Sequence, residues 1–99
     1  MEKQDIIPKL TETLMDALEI ICTDIDGNYR DEYELRTGYF MPELYETIPD
    51  IRIRKRIRGC IPSLVRKGYL WIEKTPEVSL MGLTESGLEV FRREMIKDV

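Results

Sequence analysis

Between positions 52 and 58 the chain places five cations in seven residues: Arg52, Arg54, Lys55, Arg56 and Arg58, with no acidic residue among them. Guanidinium and ammonium groups hold phosphate or carboxylate oxygens through charge-assisted hydrogen bonds. Projected at about 100° per residue, the segment Ile51–Lys67 sorts its residue types. Ile53, Ile57, Cys60, Ile61 and Leu64 gather on one side. Arg52, Lys55, Arg56, Gly59, Ser63 and Arg66 gather on the other, with Arg54 and Arg58 on a flank. The spacing predicts an amphipathic helix with one oily face and one basic face. Pro62 lies inside it, and a proline there removes a hydrogen bond and crowds the carbonyl four residues back, that of Arg58. A kink or break is expected near Gly59–Pro62.

Other chemistries find little support. The chain has no histidine to act as base or metal ligand, and no glycine-rich phosphate loop. Cys22 and Cys60 stand 38 positions apart, without zinc-site spacing, and read as small core residues in a reducing cytoplasm. Asp24-Ile25-Asp26-Gly27-Asn28 begins like a calcium loop. Its sixth position is Tyr29 rather than glycine, and its twelfth is Leu35 rather than a bidentate glutamate, so a solvated turn is expected. No enzyme activity, metal or cofactor is therefore expected.

Several elements must position the basic helix. Ile6, Ile7, Leu10, Leu14, Ala17, Leu18 and Ile21 fall at helical spacing, which predicts a helix over 6–22 with Asp5 as cap and Pro8 in its first turn. Residues 23–38 are hard to read, with a short strand expected within Leu35–Phe40. Met41–Pro49 predicts a short helix opening on Pro42, and Asp50 is placed to cap the basic helix. Gly68 ends that helix. Tyr69–Glu73 and Val78–Leu83 predict a hairpin around Lys74-Thr75-Pro76-Glu77, and Thr84 caps a last helix with Leu88, Phe91 and Met95 inward. Trp71 is expected to pack on the hairpin or core rather than serve as an interface anchor.

Two strings carry a family resemblance. Leu64-Val65-Arg66-Lys67-Gly68-Tyr69-Leu70 resembles the end of the recognition helix and first wing strand of MarR- and PadR-type regulators, where the pattern is L-x-x-x-G-[YL]-[LIV]. Leu83-Thr84-Glu85-Ser86-Gly87-Leu88 resembles their second wing strand and following helix, where L-T-x-x-G is common. Small archaeal or phage winged-helix DNA-binding proteins are similar in size. The resemblance implies one α+β, mainly α, winged helix-turn-helix domain over 1–99: a three-helix core, a β-hairpin wing and a C-terminal helix. It also implies sequence-specific binding of double-stranded DNA and transcription regulation, repression favoured over activation. The expected DNA contacts are Arg52, Arg54, Lys55, Arg56, Arg58, Gly59, Ser63 and Arg66, with Lys74 at the wing tip. A homodimer through the N-terminal and C-terminal helices is expected, since one copy covers one half-site.

Charge distribution agrees with that expectation. The net charge is −4, yet residues 1–50 carry −9 and residues 51–75 carry +7. A positive patch on an acidic body makes a directional field. The competing use of that patch is an ion-pair network with the chain's own carboxylates, or docking on an acidic protein surface as an interaction module without DNA. A third use, the acidic half as a DNA mimic, finds no phosphate-like spacing. No secretory leader and no apolar run of membrane-spanning length is expected, which favours the cytoplasm and no membrane partner.

Overall fold

The computed structural model describes residues 10–96, which form an α+β unit, mainly helical, with one three-stranded antiparallel sheet. Helix α1 spans Glu12–Ile21 and starts later than the apolar spacing predicts. Thr11 is the reason, because its Oγ1 accepts from the Leu14 amide at 3.2 Å, closing the first turn. Asp5 and Pro8, expected at the helix start, lie outside the described residues. The inner face of α1 is Leu14, Ala17, Leu18 and Ile21, all buried.

The hard-to-read stretch resolves into a turn and a helix. Asp24 Oδ1 accepts from the amides of Asp26 and Asn28, closing the turn on itself. Asp31 then caps α2, Glu32–Thr37, an element the sequence did not announce. The expected short strand is β1, Tyr39–Phe40, followed directly by α3, Met41–Glu46, which has its proline in the first turn as predicted.

Helix α4, Ile51–Arg66, is capped by Asp50 as expected but does not break at Pro62. Losing one hydrogen bond at an internal proline costs about 3 kcal/mol. Against that, α4 buries Ile57, Cys60, Ile61 and Leu64 in one row, on both sides of the proline. Large apolar side chains contribute roughly 1.5–3 kcal/mol each on full burial. Keeping that row in register outweighs the lost bond, and Pro62 itself lies on the exposed side of the helix.

Gly68, at φ +88°, turns the chain out of α4 into β2, Leu70–Lys74. Strand β3, Ser79–Leu83, pairs with β2 from Leu70 opposite Leu83 to Lys74 opposite Ser79. Its other edge pairs with β1, Tyr39 opposite Met81, so the strand order is β1-β3-β2. Trp71 packs as the sequence predicts: its indole lies against the backbone at Gly38 and Gly82, where a side chain would collide with the ring. Thr84 caps α5, Glu85–Val90, which runs on into a π-helical turn, Phe91–Met95. Helix α1 packs on α4, α4 on β2, and α2 on both β3 and α5.

One buried charge joins the loop before α2 to the sheet. Arg30 is 6% exposed, and its guanidinium lies 3.9 Å above the Tyr39 ring and pairs with Glu34 at 2.7 Å. The Tyr39 hydroxyl donates to the Ile21 carbonyl at 2.6 Å, and its burial pushes its ionisation upward. Burial also pushes the neighbouring Cys22 thiol up to about 12, against a smaller opposing pull from Arg30. That thiol stays neutral and unreactive in the physiological range.

Candidate nucleic-acid interface

The basic surface begins with the cap of α4. Asp50 Oδ1 accepts from the Arg52 amide at 2.8 Å, fixing the helix start so that its side chains leave at defined angles. With the apolar row turned inward, the outward face carries Arg52, Lys55, Arg56, Gly59 and Arg66, all exposed, and Ser63, half-buried. The structure thus gathers the six residues that the projection placed together. Ser63 Oγ accepts from Arg66 at 3.4 Å, a contact within the face itself.

The expected competitor, internal neutralisation, is nearly absent there. The Arg52 side chain is 88% exposed, with the nearest Asp50 carboxylate oxygen 3.8 Å away. Among the described residues no carboxylate lies within ion-pair distance of Arg54, Lys55, Arg56, Arg58 or Arg66. The arginines that do pair with carboxylates are mostly elsewhere: Arg30 with Glu34, Arg36 with Glu32 and Glu85, Arg92 with Glu32. Arg92 also holds the Glu32 carboxyl below its usual range, its hydrogen bond being the main cause. Glu32 and Glu34 of the acidic half thus pair with arginines outside α4, and among the described residues Asp50 is the one carboxylate within ion-pair distance of an α4 cation.

Arg54 and Arg58 separate from the outward face. Arg54 is half-buried, and its Nε donates to the Ile48 carbonyl at 2.5 Å, tying the α3–α4 turn to α4. The Arg58 guanidinium carbon stands 5.0 Å from the centre of the Tyr45 ring. Both arginines line an open cleft of about 960 Å³, walled by β1 and α3 on one side and by the β2–β3 turn on the other. Lys74 lines the same cleft from the hairpin. The nine residues expected from the sequence therefore fall into two adjoining groups, an exposed face and a cleft. Phe40 and Tyr45 also line the cleft, and sequence reasoning missed them there. No local signal marks them, because the cleft forms only when the hairpin turn folds back beside α3.

Gly59 stands in the middle of the exposed face, and a methyl group built there meets nothing within 4 Å. The fold does not require a glycine at this position, and in a helix one is destabilising by roughly 0.5–1 kcal/mol relative to alanine. Gly59→Ala is therefore expected to raise the Tm by several degrees. If a backbone lies close over this face, the same change weakens its binding. Thermal unfolding and titration with random duplex DNA check the two halves, and equal affinity in both proteins would remove Gly59 from the interface.

Among the described residues no group of His, Cys, Asp and Glu side chains is arranged to hold a metal ion. No helix among them is long and apolar enough to cross a membrane. No family model, curated protein or solved structure matches the chain. The functional reading accordingly rests on the site's own geometry and charge.

Proposed function

We propose that this chain binds duplex DNA through the outward face of α4, as a winged helix-turn-helix regulator of transcription. In this reading α3 and α4 are the helix-turn-helix, and the β2–β3 hairpin is the wing. The observation that carries it is the unneutralised basic face: a sixteen-residue helix with no carboxylate of its own, its cations exposed and beside a hairpin. A helix of this diameter fits the major groove. Strand order supports the same assignment, since a short strand precedes the helix pair and closes the sheet along β3.

Arg52 and Arg56 are the candidates for base contacts, because they lie in the first two turns of α4 where this motif reaches base edges. Lys55 and Arg66 are candidates for phosphate. A homodimer would set two such helices in successive major grooves, about one helical turn apart. The outward side of α1 carries Glu12, Asp16 and Glu19, so a symmetric α1 contact repels itself and the C-terminal elements are the better dimer surface. Occupancy of a site by such a unit excludes other proteins from it, which favours repression over activation.

Fluorescence anisotropy with random duplex DNA across a salt series tests the reading. If about four phosphates are neutralised per protomer, the log–log slope per protomer is roughly −3 to −4. Affinity that does not change with salt would overturn the proposal.

A further inference from the structure

We infer that the cleft between α3, α4 and the β2–β3 turn holds one unpaired nucleotide of the DNA bound on α4. This rests on the DNA reading above and extends it to a substrate class, duplex DNA bearing an unpaired end. Three observations combine. First, the two arginines of the cleft are fixed by partners that carry no charge, and no carboxylate among the described residues lies within ion-pair distance of either. Arg54 is held by a backbone carbonyl and Arg58 by the face of Tyr45, so neither partner cancels the charge. They stand one helical turn apart on α4, where neighbouring side chains meet, and both line the cleft, so one phosphate entering it meets two cations.

Second, the cleft offers an apolar surface for a base. Phe40 is 53% exposed although its neighbour Tyr39 is buried, and it lines the cleft together with Tyr45. An exposed aromatic ring beside held cations is the composition that stacks a base and binds its phosphate. The cleft volume of about 960 Å³ lies within the range that holds a small organic molecule.

Third, the charge balance selects one nucleotide rather than a strand. Arg54, Arg58 and Lys74 are matched by Glu43, Glu46 and Glu77, all three exposed on the same cleft. A continuous phosphate backbone lying along it would meet those carboxylates. A single nucleotide brings one charge to the two arginines and an uncharged base to the aromatic side. The outward face of α4 has no such carboxylates, so the duplex stays there.

Three labelled probes compared by anisotropy test the inference: a blunt duplex, the same duplex with a short unpaired thymidine tail, and that duplex with an abasic tail of equal length. The two tails carry equal phosphates and differ only in bases. The thymidine tail is expected to bind about tenfold tighter than the abasic one, the size of one stacked base. Phe40→Ala should remove that difference while blunt-duplex affinity holds, and Phe40→Tyr should retain it. Equal affinity for the two tails, with salt-dependent binding of the blunt duplex intact, overturns the inference alone. A difference that survives Phe40→Ala overturns it as well. Loss of binding to all three probes overturns the DNA reading with it.

Discussion

Arg52→Glu together with Arg56→Glu is expected to lower affinity for random duplex DNA at least a hundredfold at physiological salt. Each replacement exchanges an attraction for a repulsion, and both positions are exposed on the same face of α4. The salt slope carries independent information. On random duplex, where a base-reading arginine does not meet its own base, both side chains rest on phosphate, so removing them should flatten it by about 1.8, whereas a loss of affinity through misfolding leaves no defined slope. The fold itself should tolerate the change, because neither side chain reaches the core and Arg56 has no ion-pair partner among the described residues. Location, not total charge, is the claim, so the comparison is Arg56→Glu against Arg93→Glu. The two alter net charge equally, and Arg93, exposed on the C-terminal π-helical turn, has among the described residues one ion-pair contact, 3.4 Å to its neighbour Glu94. Equal losses from those two single variants would show that diffuse charge, not the α4 face, attracts the DNA.

Local patterns recovered the parts of this surface that depend on local rules. The cap at Asp50, the inward row from Ile57 to Leu64, the outward cations and the stop at Gly68 follow from helix periodicity and backbone stereochemistry. What escaped depends on contacts between distant residues. Helix α2 is short, and of its side chains only Leu35 is fully buried, so it leaves no periodic signal. It is held by α5 through Arg36 on Glu85, and by the π-helical turn that follows through Arg92 on Glu32. No local pattern marks Arg30, yet it is buried, because Tyr39 and Glu34 come together around it only in the folded chain. Pro62 looked like a kink or break because the local cost is visible in the sequence; the helix is unbroken there because four side chains of α4 are buried by distant contacts, which the sequence does not display. The division within the site has the same origin. Arg54 and Arg58 share a helix with Arg52 and Arg56, but the hairpin turn opposite them makes their flank one wall of a cleft.

The two strings that carried the family resemblance have a physical meaning in this structure, and it yields the largest stability effect. Gly68 and Thr84 are the ends of the β2–β3 hairpin, and they are joined directly. Thr84 Oγ1 donates to the Gly68 carbonyl at 2.5 Å and accepts from the Gly87 amide at 3.1 Å, so one hydroxyl ties the exit of α4 to the entry of α5. The Thr84 amide reaches the Tyr69 carbonyl at 3.2 Å, drawing the first turn of α5 down onto the start of the hairpin. Gly87 is buried at that point, and a methyl group there would stand inside the van der Waals envelope of the Tyr69 carbonyl oxygen and crowd Leu83. Backbone cannot swing aside as a flexible side chain does. Gly87→Ala is therefore expected to destabilise the fold, although alanine is ordinarily the better helix residue by about 0.5–1 kcal/mol. Forcing an extra carbon into a packed site costs roughly 1–3 kcal/mol, and each kcal/mol moves the Tm of a domain this size by about 4–8 °C. The sign is opposite to that expected for Gly59→Ala, where the methyl meets open space. Thermal unfolding of the two variants side by side tests the difference between the sites directly. A Gly87→Ala protein as stable as the parent would mean that α5 can lift off the hairpin. The turn of the chain at Gly68 would then be left to hold the hairpin against α4 without the Thr84 tie.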